Sequence, residues 1–333
     1  MTFSLTVGDI EDAAQRIAGQ AYLTPLLSNA QLDAVTGAEV FLKCENLQRT
    51  GSFKFRGAYS ALSAMDSGER RRGIVAVSSG NHAQGIAEAC RLFDVPGTII
   101  MPHDAPDIKK QRVRRSGADI VGYNRASEDR DEIALGLAEE RGRAFVHPYE
   151  NHWVMAGQGT AGLEITEQMA DMSKSPQVAL ICCGGGGLCA GVSTALRHAY
   201  PAADIYAVEP MGFDDTARSL RSGRREANET NASSICDSIL TKMPGERTFP
   251  INSANGVQGL VVSDDEVRAA MRFAYYELKL IVEPGGAVCL AALLSKKIDV
   301  SGKTVVAVLS GGNVDANVFW QAIDGPEAQS GTN

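Results

Sequence analysis

Hydrophobic and polar positions along the chain alternate between two periods, one typical of buried strands and one typical of amphipathic helices. Stretches of helical period, such as "VGDIEDAAQRIAGQA", "HAQGIAEACRLF", "DIKKQRVRRSG" and "DDEVRAAMRFAYYEL", lie among short β-rich runs. Those runs are "EVFLKC", "GIVAVSS", "GTIIMP", "DIVGY", "QVALICC", "DIYAVE" and "TVVAVLS". Strands that alternate with helices form parallel sheets with helices on both faces. The pattern predicts an α/β fold with two doubly wound, mostly parallel sheet domains.

The alternation of strand-like and helix-like stretches is interrupted at "RAFVHPYENHW" and then resumes with the helical stretch "GTAGLEITEQM". We expect residues 1–50 and 149–325 to form a large domain and residues 51–148 a small one. Residues 221–259 show little periodicity and are expected to be rich in loops. The polar residues 326–333 are expected to form a flexible tail.

Composition narrows the classes of partner. The chain has 333 residues, 44% of them hydrophobic, and a formal net charge of -8. A negative charge argues against nucleic acid or an anionic membrane as the main partner. The start of the chain does not resemble a signal peptide, and no apolar run is long enough to cross a bilayer, so we expect a cytoplasmic protein. The seven cysteines show no CxxC pairing and are expected to be free, buried thiols.

The stretch "GSFKFRGA" places Lys54 between Phe53 and Phe55. One interpretation is a helix start in which Thr50 or Ser52 is the cap, while Lys54 and Arg56 point into water. The other is an amine in a partly apolar pocket, where desolvation favours the neutral form and makes it a nucleophile. This stretch alone leaves both interpretations open.

Two loops that follow strands have the composition of anion-binding sites. "SSGNHAQG" (78–85) leaves one strand and opens a helix, so its N–H groups could bind a carboxylate or a phosphate. "CCGGGGLCAG" (182–191) does the same with four successive glycines, which implies close approaches that a Cβ would block. Ligands of open α/β sheets bind at this end of the strands.

Three further features allow more than one interpretation. Gly185, Gly187 and Ala190 fit GxGxxA, and Glu209 ends the next strand, so a nicotinamide-dependent oxidoreductase stays open at this point. Ser310, in "VLSGGNVD", lies either in a functional loop or in a tight turn. Glu283, in "IVEPGGAV", is either a site carboxylate or a helix-start charge.

The motifs "SFKFRGA", "SSGNHAQG", "CCGGGGL" and "LSGGN", in this order, resemble those of pyridoxal-phosphate enzymes of the tryptophan-synthase-β type. The resemblance covers roughly residues 15 to 315. It favours the branch of this fold-type II family that holds threonine and serine dehydratases, serine racemases and 3-hydroxyaspartate dehydratases. It implies a pyridoxal 5'-phosphate cofactor in the cleft between the two domains.

The resemblance also implies roles for individual residues. Lys54 would carry the cofactor as a Schiff base and act as the catalytic base, and Ser79 would be the acid/base group on the opposite face. The other residues expected to bind the cofactor are Phe53, Asn81, Gly184, Gly185, Gly186, Gly187 and Ser310. Those expected to bind the substrate are Ser78, Ser79, Gly80, Asn81 and His82.

The implied activity is dehydration and deamination of a small β-hydroxy-α-amino acid, either 3-hydroxyaspartate or L-threonine or L-serine. It would give a keto acid, or its imine, and ammonia, and we favour 3-hydroxyaspartate. The alternative within the family is serine- or aspartate-type amino-acid racemization by Lys54 and Ser79. Members of the family are usually dimers or larger, so we expect a homodimer.

The segment "YAVEPMGFDDTARS" resembles a divalent-cation site of the same branch. By this resemblance, Glu209, the carbonyl of Phe213 and Asp215 would coordinate the ion. Carboxylate and carbonyl oxygens suit Mg²⁺, Mn²⁺ or Ca²⁺ better than zinc. An acidic loop in solvent is the alternative interpretation of this segment.

Overall fold

The computed structural model describes residues 4–105, 107–124 and 127–324. The tail expected at 326–333 lies outside these residues. Ten strands are present in the described part of the chain: β1 Leu26–Ser28, β2 Glu39–Cys44, β3 Ile74–Val77, β4 Gly97–Pro102, β5 Asp119–Tyr123, β6 Ala144–Phe145, β7 Val178–Cys182, β8 Asp204–Pro210, β9 Gln258–Val262 and β10 Thr304–Leu309.

Fourteen α-helices are described over the same residues. They are α1 Val7–Ile17, α2 Ala30–Thr36, α3 Lys54–Ala64, α4 Ser67–Arg72, α5 Asn81–Phe93, α6 Asp107–Arg115, α7 Arg130–Arg141, α8 His152–Asp171, α9 Gly187–Ala199, α10 Asp215–Ser222, α11 Thr248–Ala254, α12 Asp264–Tyr276, α13 Pro284–Leu294 and α14 Ala316–Ile323. No helix within the described ranges is both long and apolar enough to span a membrane.

The strands form two sheets. The larger has six strands in the order β1-β2-β10-β7-β8-β9, and the smaller has four in the order β5-β4-β3-β6. All neighbours pair in parallel except β1, an edge strand that pairs with β2 in the antiparallel direction. The predicted α/β fold with two mostly parallel sheets is confirmed.

Side chains alternate between the two faces of each sheet, as the two-residue period of a strand requires. In β2, Val40 and Leu42 pack on the face covered by α12 and α13, whereas Phe41 packs on the face covered by α8 and α9. The smaller sheet is likewise covered by α3 and α5 on one face and by α7 on the other. Helices on both faces explain why its central strands β3 and β4 are buried throughout.

The expectation that residues 221–259 are rich in loops is confirmed for most of the segment, because residues 223–247 contain no helix or strand. The end of the segment is more regular, since it contains α11 and leads into β9. The seven cysteines are free and buried, as predicted.

Candidate active site

Lys54 is the first residue of α3, and its side chain is partly buried. Its amine donates a hydrogen bond to the carbonyl of Pro148 at 3.1 Å and lies 5.0 Å from the centroid of the Phe53 ring. Burial lowers the pKa of Lys54 to about 8, although the carboxylate of Glu283 opposes this change. An amine with so low a pKa is partly neutral near pH 7, as a nucleophile must be.

The interpretation of this segment as an ordinary capped helix is wrong. The N-cap of α3 is Phe53, which makes no side-chain cap, and the hydroxyls of Thr50 and Ser52 are buried without a hydrogen-bond partner among the described residues. Arg56 does not point into water either, because its side chain is 0% exposed. It forms ion pairs with Glu45 and Glu164, at 2.8 and 2.6 Å.

The "SSGNH" loop joins β3 to α5, with Gly80 as the N-cap. The hydroxyl of Ser78 accepts a hydrogen bond from the N–H of Gly80 at 3.0 Å, and Ser79 is partly exposed. Since glycine has no side chain to occupy the first-turn N–H groups, they can bind an anion together with the helix dipole. The loop therefore has the geometry expected of a site that binds a carboxylate.

Asn81 lies at the start of the same helix, and both its amide nitrogen and its amide oxygen form hydrogen bonds. Its Nδ2 donates to Oε1 of Glu283 at 2.6 Å, and its Oδ1 accepts from Nδ2 of Asn313 at 2.8 Å. Burial, followed by the nearby carboxylate of Asp237, raises the pKa of Glu283 to about 7. Glu283, which the sequence left open as a helix-start charge, thus contacts a predicted cofactor ligand.

The side chain of His82 has neither a positive charge nor a free donor for a negatively charged substrate group. Its Nε2 lies 3.0 Å from the carbonyl of Val146, which can only accept, so Nε2 carries the proton. Burial and the charge of Lys54 lower the pKa of His82 to about 3, so the ring is neutral. Its buried Nδ1 can then only accept, which leaves the backbone N–H as the group that could bind a carboxylate.

The four glycines Gly184–Gly187 join β7 to α9. Gly186 is the N-cap, with φ at +90°, a conformation that favours glycine. The carbonyl of Gly185 accepts from Thr248 at 2.6 Å and that of Gly186 from Asn252 at 3.4 Å, both on α11. In a trans peptide the next N–H points the opposite way. The N–H groups of Gly186 and Gly187 therefore point away from α11, and a phosphate could bind them.

Tyr149 is a site residue that sequence reasoning missed. A Cβ added to Gly185 would lie 2.5 Å from the Tyr149 ring, so only glycine fits there. Tyr149 follows Pro148, whose carbonyl binds Lys54, and so connects the lysine with the glycine loop. A cleft of about 630 Å³ opens beside Tyr149 and His147. Its walls include both basic and acidic residues: Arg130, Arg225, Lys242, Arg247, Asp131, Glu150 and Glu246.

Ser310 follows β10 and is buried next to the lysine segment. Its carbonyl accepts a hydrogen bond from the N–H of Phe53 at 3.1 Å, and Ser52 and Gly311 form a β-bridge. The turn after β10 is therefore joined to the residues that precede Lys54. Ser310 thereby lies within the same group of loops as the amine.

The three residues predicted to bind a cation lie at the junction of β8 and α10. The carboxylate of Glu209 accepts from the N–H groups of Thr216 and Ala217, at 2.9 and 2.8 Å. One oxygen of Asp215 accepts from Asn228 at 2.5 Å, while Oδ2 is buried without a partner in the described part of the chain. Burial raises the pKa of Asp215 to about 7. The described residues contain no cluster of three His, Cys, Asp or Glu side chains that could hold a metal.

An amine of lowered pKa, a glycine loop that offers N–H groups to a phosphate, and a second helix start for a carboxylate together fit pyridoxal phosphate and an amino acid. Residues 17–311 match the protein family described as "Pyridoxal-phosphate dependent enzyme". The chain belongs to this family.

Named relatives support the same assignment. The chain is 44% identical to an L-threo-3-hydroxyaspartate ammonia-lyase from a Pseudomonas species, over 95% of this chain and 98% of that one. It is 39% identical to an L-threonine ammonia-lyase from Thermotoga maritima, over 98% of this chain and 80% of the relative. A solved structure of maize serine racemase superposes with a TM-score of 0.90 at 33% identity, over 97% and 98% of the two chains.

This pyridoxal-phosphate-dependent enzyme does not use its GxGxxA match as a nicotinamide site would. A dinucleotide-binding acid must reach a ribose hydroxyl. Glu209 is 0% exposed, and both its oxygens are bonded to the start of α10. The nicotinamide alternative is therefore wrong.

Proposed function

We propose that this enzyme dehydrates and deaminates a small β-hydroxy-α-amino acid by β-elimination and releases a keto acid and ammonia. The preferred substrate in this proposal is 3-hydroxyaspartate, with L-threonine and L-serine as slower ones. The observation that carries the proposal is the Lys54 amine, whose pKa is lowered to about 8 beside the Asn81–Glu283 pair. The ammonia-lyase relatives support the choice of reaction.

The cofactor is held by residues from four segments in this proposal. Lys54 would bond covalently to the cofactor aldehyde, Phe53 would flank its ring and Asn81 would donate to its phenolic oxygen. The loop Gly184–Gly187 would bind its phosphate, and the hydroxyl of Ser310 would meet its pyridine nitrogen. When bound, pyridoxal phosphate withdraws electrons from the Cα of the amino acid.

Proton transfers fall to two side chains. With the cofactor bound, the Lys54 amine would take the Cα proton of the substrate, a general-base role worth about 10²- to 10⁴-fold in rate. The β-hydroxyl would leave as water, with a proton from Lys54 or Ser79. Ser79 would stand on the face of the cofactor opposite Lys54, where it could hold or donate a proton. Because the hydroxyl of Ser310 carries no charge, it would not stabilise a protonated ring nitrogen, which would favour prompt elimination over transamination.

The α-carboxylate of the substrate binds at residues 78–82. Backbone N–H groups at the start of α5 supply most of the donors, including that of His82, whose ring cannot donate there. A second carboxylate, as in 3-hydroxyaspartate, also needs basic residues that bind it. The cleft beside Tyr149 mixes basic residues with the acidic residues Asp131, Glu150 and Glu246, so the support for a substrate with two carboxylates comes from the L-threo-3-hydroxyaspartate ammonia-lyase relatives.

A panel of β-hydroxy amino acids tests this function. The purified enzyme with pyridoxal phosphate is expected to release keto acid and ammonia from 3-hydroxyaspartate with a higher kcat/KM than from L-threonine or L-serine. Chiral analysis of the remaining substrate measures racemization in the same reactions. A higher kcat/KM for threonine would contradict the substrate preference. Inversion without keto acid would contradict the lyase assignment and identify a racemase.

We also propose that Glu209, the carbonyl of Phe213 and Asp215 bind Mg²⁺, Mn²⁺ or Ca²⁺. The unpartnered, buried Oδ2 of Asp215 supports an ion there, because a buried carboxylate oxygen needs a partner. Glu209 is less free, since both its oxygens already accept backbone hydrogen bonds. Asn228 links Asp215 to the carbonyl of Thr241 at the cleft, so an ion could stiffen that wall.

Removal of divalent cations should lower the melting temperature and the activity, and Mg²⁺ or Mn²⁺ should restore both. Asp215→Ala is expected to abolish this response but to retain the covalently bound cofactor. Asp214→Ala is the matched control, because the carboxylate of Asp214 pairs with Arg218 instead. A wild-type enzyme whose melting temperature ignores both chelator and added ions would contradict the cation site.

The proposal includes a domain division at residues 50/51 and 148/149, with the cofactor between the two units and 326–333 as a tail. The separate sheets and their separate cores support it. It also includes a homodimer in the cytoplasm, with a small amino acid rather than nucleic acid or a membrane as the partner. Sedimentation of the holoenzyme would measure the oligomeric state.

A further inference from the structure

Asn313 lies three residues after Ser310, in the turn that follows β10, and its side-chain amide uses all of its hydrogen-bonding groups. Nδ2 donates to the carbonyl of Thr50 at 2.7 Å and to Oδ1 of Asn81 at 2.8 Å. Oδ1 accepts from Nη1 of Arg112 on α6 at 3.1 Å. Because the Thr50 carbonyl can only accept and a guanidinium can only donate, the orientation of this amide is determined by its partners.

The orientation of Asn313 in turn determines that of Asn81. An N–H of Asn313 points at Asn81, so Asn81 must present its oxygen on that side and its Nδ2 on the other. If Asn81 were flipped, two donors would face each other at 2.8 Å, the distance that now joins Nδ2 of Asn313 to Oδ1 of Asn81. Glu283 accepts one N–H of Asn81, which leaves the second N–H for another acceptor.

Glu283 cannot fix this orientation alone. Its pKa is raised to about 7, so near neutral pH part of the population is protonated and can either donate or accept. Asn313 keeps its donor at every pH at which the protein is folded. The amide of Asn313 is therefore the more constant constraint on Asn81.

We infer that Asn313 is a positioning residue, which holds the Asn81 amide so that its free N–H is directed at the phenolic oxygen of the cofactor. This inference rests on the proposed function, in which Asn81 binds that oxygen. A donor at the phenolic oxygen stabilises the form of the cofactor in which this oxygen is negatively charged. That form absorbs visible light, whereas the form with a neutral oxygen absorbs in the near ultraviolet.

The decisive variant is Asn313→Asp, measured on the holoenzyme. An aspartate has nearly the same shape and can still pair with Arg112, but it cannot donate to Asn81. The Asn81 amide should then turn its Nδ2 toward residue 313 and its oxygen toward the cofactor. The ratio of the visible band to the near-ultraviolet band should fall about tenfold, because a hydrogen bond to a charged oxygen is worth that much in equilibrium terms.

Turnover should follow the spectrum. We expect kcat to fall with the visible band, while KM for the amino acid changes less, since backbone N–H groups bind its carboxylate. Asn313→Ala should give a smaller spectral change than Asn313→Asp. Alanine allows both orientations of the Asn81 amide, and Glu283 still favours the one that directs an N–H at the cofactor. This ranking distinguishes a positioning role from a purely structural one.

Asn255→Asp is the matched control. Asn255 donates to the hydroxyls of Ser193 and Thr194, at 2.9 and 3.0 Å, and makes no contact with Asn81. This variant should keep the band ratio of the wild type. If Asn313→Asp and Asn313→Ala lower the melting temperature but leave the band ratio unchanged, Asn313 is only structural and the inference is wrong. A wild-type enzyme that lacks a visible band would instead contradict the proposed function itself.

Discussion

Lys54→Ala is expected to abolish both the covalent attachment of the cofactor and the release of keto acid. The Lys54 amine is both the attachment point and the proposed base, so turnover should fall by more than the 10²- to 10⁴-fold that is typical of one lost general base, about 10⁴-fold or beyond. Borohydride should no longer fix the cofactor to the protein. Keto-acid release and absorbance after borohydride treatment measure the two effects.

Two control variants separate the chemistry of the amine from its charge. Lys54→Arg keeps the positive charge but cannot bond covalently to an aldehyde, so it should be as inactive as Lys54→Ala. Lys174→Ala removes a surface amine that pairs with Glu39, and it should behave as the wild type. Substantial keto-acid release by Lys54→Ala would refute the central assignment.

The lowered pKa of Lys54 adds a pH signature to this prediction. A decrease from 10.5 to about 8 raises the neutral fraction at pH 7 from about one in three thousand to about one in ten. Since only the neutral amine attacks an aldehyde, attachment of pyridoxal phosphate to the apoenzyme should speed up with rising pH and level off above about 8. A rate that still climbs steeply beyond pH 9 would indicate an ordinary, solvated lysine.

The fold could be predicted from the sequence because its strands are short, apolar and regularly spaced. Each of the seven predicted strands is present. Other elements were not predicted, among them the strands β1, β6 and β9, and two helices show the physical reasons. The helix α13 is buried from Pro284 to Leu293, so it has no polar face and no helical period. The helix α11 is short and contains Pro250, so its position depends on its contacts with the glycine loop.

Residues of the candidate site could be predicted only where the sequence within a few positions of them is unusual. Lys54, the "SSGNH" loop and the four glycines are each unusual within a few residues. Tyr149 lies in no such stretch. Asn313 ends the "LSGGN" motif, but the sequence assigns it no role, because its importance comes from the residues that it contacts. The hydrogen bond between Asn81 and Glu283 joins residues 202 apart in the chain. Contacts of this kind depend on tertiary packing, which the pattern of a single sequence does not specify.

The contacts of Arg56 also could not be predicted from the sequence, and they have a larger effect on the stability of the protein. The sequence offers Arg56 as a candidate for a solvated helix face, yet its guanidinium is buried between two carboxylates. It donates to both oxygens of Glu45 at 2.8 Å, and to the oxygens of Glu164 at 2.6 and 2.7 Å. Lys43 also pairs with Glu164, at 2.6 Å. Burial by itself raises the pKa of Glu45, but the guanidinium outweighs it, and the pKa is lowered.

Arg56→Met should therefore destabilise the enzyme by about 3–5 kcal/mol, the usual cost of leaving a buried charge without its partner. The apolar replacement would leave the buried carboxylate of Glu45 and the partly buried one of Glu164 with Lys43 as the remaining cation. Because Arg56 follows Lys54 by two residues in the first turn of α3, molecules that fold should also bind the cofactor less tightly. Urea unfolding at saturating pyridoxal phosphate, and cofactor titration of the apoenzyme, measure these effects.

Arg91→Met is the matched control for this prediction. Arg91 makes the same two-pronged contact with Glu88, at 2.8 and 2.9 Å, but its side chain is 51% exposed. Exposed ion pairs add little to stability because water solvates the charges when the pair is broken. Both variants lose a two-pronged contact with a carboxylate, but Arg56 is buried and also donates to Glu164, so Arg56→Met should unfold at a much lower urea concentration. Equal midpoints would mean that the buried network adds no more than a surface pair, and that something other than Arg56 fixes the first turn of α3.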